Sequence, residues 1–167
     1  RLRELLRFKK ETKFATIPAE VMARNPNDWI GSFVIDRGSD DGIERNAAVC
    51  SAKGLLGKVI ETSDGSSQVM LLSHPSFKVG GMIKRTLLNG IIVGTGEEDL
   101  RMLYLPADSD VQIGDVVVTS GFSRIFPRDI PIGEVVSVEV SKTKLYKYVR
   151  IKPFANPFDQ EEVLCVK

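Results

Sequence analysis

Two hydrophobic periods divide the chain. In the opening RLRELLRFKKET, Leu2, Leu5 and Leu6 recur at spacings of three and four, the mark of a helix face, while Arg3, Glu4, Arg7, Lys9 and Lys10 fill the rest. A helix this short is marginal alone. The end of a coiled coil would support it, and so would docking on its own domain. From residue 14 the texture changes to short β-rich runs separated by clusters of Gly, Pro, Asn and Asp. This pattern predicts strands at 14–24, 31–37, 47–51, 55–62, 68–73, 78–86, 90–95, 100–105, 115–119, 133–140, 146–153 and 162–167. Many short strands at close turn spacing indicate a barrel or sandwich. No later helical run is long enough to cross between parallel strands, so the sheets should be antiparallel.

The strand texture repeats. Residues 33–35 align with 102–104, Asp40 with Ser109, and Val49-Cys50-Ser51 with Val118-Thr119-Ser120. After an insertion in the second copy, Gly57-Lys58-Val59 aligns with Gly133-Glu134-Val135. Each unit reads as an apolar strand, a polar turn, a strand ending in Ser, a glycine turn, then Gly-x-Val. The expectation is a mainly β chain of two tandem small antiparallel β-barrels of about six strands each, preceded by the end of a coiled-coil helix. The boundaries read as 1–13 for the helix, 14–98 for the first barrel and 99–167 for the second.

Composition narrows the function classes. The chain is 43% apolar and 27% charged, which suits a packed globule. Its 23 basic and 22 acidic residues nearly cancel, against nucleic acid as the main ligand. Cys50 and Cys165 both lie in apolar strand-like runs, so buried thiols and a disulfide both stay open. No run approaches the roughly 18 apolar residues of a membrane span. The chain opens in mid-helix without Met, so a preceding segment is expected.

Candidate chemistry centres on Thr119-Ser120-Gly121. His74, the single histidine, and Asp99, Asp108 and Asp110 precede Ser120, so a chymotrypsin-like order of His, Asp and Ser can be drawn. That chemistry also needs backbone donors around the nucleophile, and the protease family supplies them with Gly-Asp-Ser-Gly-Gly where this chain has Val-Thr-Ser-Gly-Phe. Ser51 is the counterpart of Ser120, and two equivalent serines at two strand ends suit turns. One His and two distant Cys make no metal-ligand cluster. Phe122, Ile125 and Phe126 put three large apolar side chains in one loop, which needs either a core or a partner. Gly54, Gly57, Gly114, Gly121, Pro131 and Gly133 are the expected turn residues. Trp29, the single tryptophan, is either a barrel cap or a sugar contact.

The phrases GLLGKVIE and GDVVVTSG…IFPRDIPIGEVVSV, in this order behind a helix end, resemble the family of the rod shape-determining protein MreC over nearly the whole chain. Gly54-Leu55-Leu56-Gly57-Lys58-Val59 matches one family turn; Thr119-Ser120-Gly121, Phe126-Pro127 and Ile130-Pro131-Ile132-Gly133 match the second signature. Ser123, Arg124 and Asp129 depart from it, since the family commonly has glycine there. The resemblance implies a non-enzymatic scaffold of side-wall peptidoglycan synthesis. It implies an extracytoplasmic location, a membrane helix upstream of this chain, and a coiled-coil homodimer in which Leu2, Leu5 and Leu6 pair. Implied partners are a class B penicillin-binding protein, RodA, MreD and MreB, with no cofactor. Self-assembly by strand addition at open barrel edges and direct peptidoglycan binding stay open as alternatives.

Overall fold

The structure, a computed structural model, describes residues 2–11, 15–24, 31–122 and 126–166. Helix α1 (Leu2–Glu11) leads into twelve strands. These are β1 (Thr16–Arg24), β2 (Ser32–Ile35), β3 (Ala48–Ser51), β4 (Gly54–Thr62), β5 (Ser67–Leu71), β6 (Lys78–Ile83), β7 (Asn89–Gly94), β8 (Leu100–Pro106), β9 (Val116–Thr119), β10 (Pro131–Val140), β11 (Tyr146–Pro153) and β12 (Glu162–Val166). All pairings are antiparallel, and the strands form two closed six-stranded barrels, ordered β1-β12-β3-β4-β5-β2 and β10-β11-β8-β7-β6-β9. Every strand therefore has two neighbours. Closure removes the open sheet edges on which strand-addition assembly relied.

The barrels are not laid out one after the other. The expected boundary at 98/99 is displaced, because β6 and β7 belong to the second barrel and β12 to the first. The second unit runs Ser73–Phe154, and the chain then returns to the first. The cause lies in β12, which pairs with β1 (Thr16↔Val166 to Glu20↔Glu162) and with β3, closing the first barrel. Its Val163 and Cys165 join Phe33, Ile35, Val49, Leu56, Val59 and Val69 in that barrel's core. Burying each large apolar side chain is worth about 1.5–3 kcal/mol.

The repeat survives this rearrangement. Placing β3 on β9 and β4 on β10 puts β5 on β11, β2 on β8, β1 on β7 and β12 on β6, and the cyclic order of neighbours is then identical in the two barrels. Gly57 and Gly133 mark the same crossing. A Cβ on Gly57 would lie 2.0 Å from the Met70 carbonyl oxygen, and one on Gly133 would lie 2.2 Å from that of Lys152. Only a residue without Cβ lets the neighbouring strand come so near.

The two thiols sit on adjacent strands but one register step apart, with Cys165 opposite Val49 and Cys50 opposite Leu164. Successive side chains alternate across a sheet, so the cysteines face opposite sides, and both are free and buried. Desolvation pushes both thiols up, Cys165 to about 12 with a smaller contribution from Asp36. Arg24 braces the end of the first barrel by donating to the carbonyls of Pro157 and Gln160, with its guanidinium 5.4 Å from the centre of the Phe33 ring.

Candidate partner-binding loop of the second barrel

The loop between β9 and β10 is tied at its base by Thr119. Its hydroxyl donates to the Pro127 carbonyl at 2.6 Å and accepts from the Ile130 N–H at 2.9 Å. Its backbone N–H donates to the Ile130 carbonyl, and its own carbonyl accepts from the Asp129 N–H. Thr119 is fully buried, so four hydrogen bonds hold the loop ends together out of water. Gly121 has φ 74°, a left-handed conformation natural to glycine. Asp129 holds φ 71°. Asp is one of the few side chains that tolerates this region, so the departure from glycine at Asp129 keeps a conformation that glycine would favour.

Ser120 is engaged in the turn. Its hydroxyl accepts from the Phe122 N–H at 3.4 Å, and its backbone N–H donates to the Gly80 carbonyl. Ser51 does the same in the first barrel, accepting from the Lys53 N–H at 3.1 Å. The nucleophile-like serine is thus one of a matched pair of turn serines. His74 Nδ1 accepts from the Ser76 N–H at 2.9 Å. Asp99 pairs with Arg150 and Asp110 with Arg85. No hydrogen bond joins His74 to Ser120 among the described residues, so the drawn triad is not assembled.

The three apolar loop residues separate. Phe122 is 75% exposed. Phe126 is buried, with its ring centre 6.4 Å from that of the fully buried Phe77. Of the two roles open to it, core or partner contact, Phe126 takes the core: it packs inside its own barrel, beside Pro127, whose carbonyl Thr119 holds. Ile125, with Ser123 and Arg124, lies outside the described residues, as does Trp29. The other turn residues fall at strand boundaries: Gly54 opens β4, Pro131 opens β10 opposite Val118, and Gly114 precedes β9 with positive φ.

The leucine face of α1 also divides. Leu5 is buried, while Leu2 and Leu6 are exposed. Leu5 is therefore withdrawn from the expected dimer stripe by its own barrel. A groove of about 490 Å³ between α1 and the first barrel is lined by Leu2, Leu5, Leu6, Pro18, Ala19 and Leu164, with five charged residues among its other walls.

Two features escaped sequence reasoning. Arg85 forks between two carboxylates, with Nε 2.9 Å from Asp115 Oδ1 and Nη1 2.8 Å from Asp110 Oδ2. These bonds hold both carboxyls below the usual carboxylate range. Nothing local marks this fork, because its members are 25 and 30 residues apart. The second feature is a basic, tyrosine-bearing hairpin formed by β10 and β11. Its signal is in the sequence, since residues 141–153 hold five cations and no acid. Among the described residues, no cluster of three or more His, Cys, Asp or Glu could hold a metal, and no helix is long and apolar enough to cross a membrane.

Two closed barrels of identical strand order, with turn serines in matched places and a braced loop between β9 and β10, define a paired-barrel module. The family described as "Rod shape-determining protein MreC, barrel core" matches residues 21–167. The chain belongs to the MreC family. It is 36% identical over 154 residues to the cell shape-determining protein MreC of Listeria monocytogenes, covering 89% of this chain and 52% of that protein. It is 31% identical over 156 residues to the Escherichia coli counterpart, covering 93% of this chain and 42% of that one. The chain spans about half the length of these curated relatives. A solved MreC structure superposes with a TM-score of 0.94 at 30% identity, covering 100% of this chain and 96% of that one. The Pseudomonas aeruginosa structure gives 0.85 at 30% identity, covering 92% and 99%. The fold is shared as well with a Helicobacter pylori MreC solved in complex with penicillin-binding protein PBP2, at TM-score 0.76 and 22% identity, covering 92% and 98%. These relatives are named for cell shape rather than for a reaction.

Proposed function

We propose that the chain is a non-catalytic scaffold of side-wall peptidoglycan synthesis, acting outside the cytoplasm. On this reading its second barrel binds a class B penicillin-binding protein and favours that partner's active arrangement. The observation that carries the reading is the loop between β9 and β10. Phe122 stands exposed on a base that Thr119 holds rigid. A rigid aromatic anchor loses little conformational entropy on binding, and anchors of this type dominate interface energies. Family membership supports the reading, and so does the capture of the Helicobacter pylori relative with PBP2. The engagement of Ser120 and His74 within their turns supports a role without catalysis. RodA, MreD and MreB belong to the same proposal as members of the assembly.

Binding that differs between two arrangements of the partner is enough to shift their populations. The loop is tested by placing a photo-crosslinking phenylalanine analogue at position 122, and in a control at Leu87. Crosslinking of the penicillin-binding ectodomain from 122 and not from 87 is expected. Equal yields from both positions would remove the loop from the interface.

A second reading, self-association, is favoured by Leu2 and Leu6, which lie exposed one turn apart on α1. A solved relative is described as the major periplasmic domain of a filament. With the barrels closed, the contact would run through α1 rather than through strand edges. Sedimentation across a concentration series should show a dimer that Leu6→Asp weakens; a monomer at every concentration would count against it.

A further inference from the structure

The β10–β11 hairpin collects features that neither the loop at Phe122 nor the helix uses. Residues 141–153 carry Lys142, Lys144, Lys147, Arg150 and Lys152 and no acid, in a chain whose net charge is only +1. All three tyrosines of the chain lie beside these cations. Tyr146 and Tyr148 are alternate residues of β11, and Tyr104 stands on neighbouring β8 with its ring edge-on to Tyr146 at 6.4 Å. Tyr104, Tyr146 and Tyr148 are 62%, 42% and 42% exposed. At the tip, Val140 and Leu145 are 55% and 64% exposed. Two exposed aliphatics at one turn, together with the three exposed tyrosines, gather apolar surface of the kind that marks an interaction site.

The tip is built to hold this arrangement. Ser141 is buried; its N–H donates to the Tyr146 carbonyl at 2.8 Å, and its carbonyl accepts from the Lys144 N–H at 2.9 Å. Its hydroxyl accepts from the Tyr146 N–H at 3.3 Å. Lys144 is held at φ 58°, an uncommon region for a residue with a long side chain. Tyr104 is held in the same region, at φ 67°, beside an irregularity in the β8–β11 register. Lys147 is occupied with the Ser109 carbonyl and Arg150 with Asp99. Lys142 and Lys144 are exposed and form no ion pair among the described residues. Of the acids near this hairpin in the fold, Glu139 lies opposite Tyr148, and Asp108 is exposed in the loop after β8. Asp110 in that loop is already held by Arg85.

We propose that this hairpin tip docks on an anionic phospholipid surface. Leu145 and Val140 enter the boundary between headgroups and acyl chains, the tyrosine band lies at headgroup depth, and Lys142 and Lys144 meet lipid phosphates. The residue types favour lipid over a protein partner. Lysine is depleted at the centres of protein interfaces, whereas its long stem lets it lie along apolar material with its charge at the interface. Tyrosine is enriched at membrane–water boundaries, and two aliphatics beside two unpaired lysines fit the combined apolar and electrostatic terms of peripheral binding. The proposal does not depend on the loop at Phe122.

Co-sedimentation with vesicles tests it. The chain should pellet with vesicles of equal parts phosphatidylcholine and phosphatidylglycerol, stay in solution with phosphatidylcholine alone, and be released by salt. Lys142→Glu with Lys144→Glu should lower partitioning by about 25-fold or more, roughly fivefold for each cation withdrawn from the surface. Leu145→Asp should also abolish pelleting, while Ile113→Asp, at an exposed apolar residue of another loop, should not. Melting curves matching the unaltered chain would show that each variant is folded. Absence of binding to the anionic vesicles at low salt would overturn the proposal, as would equal binding by the tip variants. Retention on an immobilised acidic polypeptide without vesicle binding would assign the face to a protein partner and overturn it too.

Discussion

Phe126 and Phe122 lie four residues apart in one loop, yet the structure assigns them opposite work, and paired truncations separate the two roles. Phe126 is 4% exposed and packs on Phe77, itself fully buried. Phe126→Ala leaves a phenyl-sized void and ends the ring contact, at a cost of about 3–5 kcal/mol. If the unit Ser73–Phe154 melts by itself, each kcal/mol lowers Tm by about 4–8 °C. The fall is then about 12 °C or more, and about half of that if the whole chain melts together. Phe122 is 75% exposed, so Phe122→Ala should change stability by no more than about 0.5 kcal/mol. Calorimetry on both variants gives the comparison, with circular dichroism to confirm the native sheet before heating. Equal melting temperatures, or a lower one for Phe122→Ala, would refute the assignment of Phe126 as plug and Phe122 as free surface.

Other consequences can be read in the same assays. Gly57→Ala and Gly133→Ala each drive a methyl into the backbone of the neighbouring strand, so each should cost at least about 1–3 kcal/mol; an unchanged denaturation midpoint would show that these crossings are looser than described. Asp110 and Asp115 have carboxyls lowered by Arg85 relative to the unfolded chain, so their contribution to stability is complete above the unfolded value of about 4 and fades as pH falls through the folded values. Arg85→Met should therefore melt lower than the unaltered chain at neutral pH, and the gap should narrow below about pH 4; a gap that widens on acidification would contradict this. Cys50 and Cys165 should resist a thiol reagent in the native state and both react in denaturant, without prior reduction; a protein showing no free thiol in denaturant would mean that they are bridged.

The strands were legible because the period-two runs, glycine turns and prolines are local. The duplication was legible too, since Gly57 and Gly133 occupy one structural crossing and Ser51 and Ser120 make one type of turn. The partner of β12 was not. A C-terminal strand as apolar as its neighbours carries no mark of whether it pairs next door or back to β1, so the boundary fell at 98/99 instead of the two crossings after Leu72 and before Ala155. Hydrophobicity alone could not separate Phe122 from Phe126 either. What separates them is the buried hydroxyl of Thr119, an ordinary strand-end residue in the sequence, which seats Pro127 and with it Phe126. Leu5 parted from Leu2 and Leu6 for a similar reason, because helical spacing defines a face but not what covers it. The basic hairpin was visible as a run but was masked by the near-zero charge of the whole chain.

The proposed function rests on Phe122 as an exposed anchor for a penicillin-binding protein. The most direct measurement is the affinity of the immobilised chain for the ectodomain of its cognate class B penicillin-binding protein, taken alongside Ser120→Ala and Phe122→Asp. Saturable binding is expected, left intact by Ser120→Ala and weakened roughly 30-fold or more by Phe122→Asp, the loss expected of a central aromatic anchor. Binding by Phe122→Asp equal to that of the unaltered chain, or no binding by any of the three, would contradict the proposal.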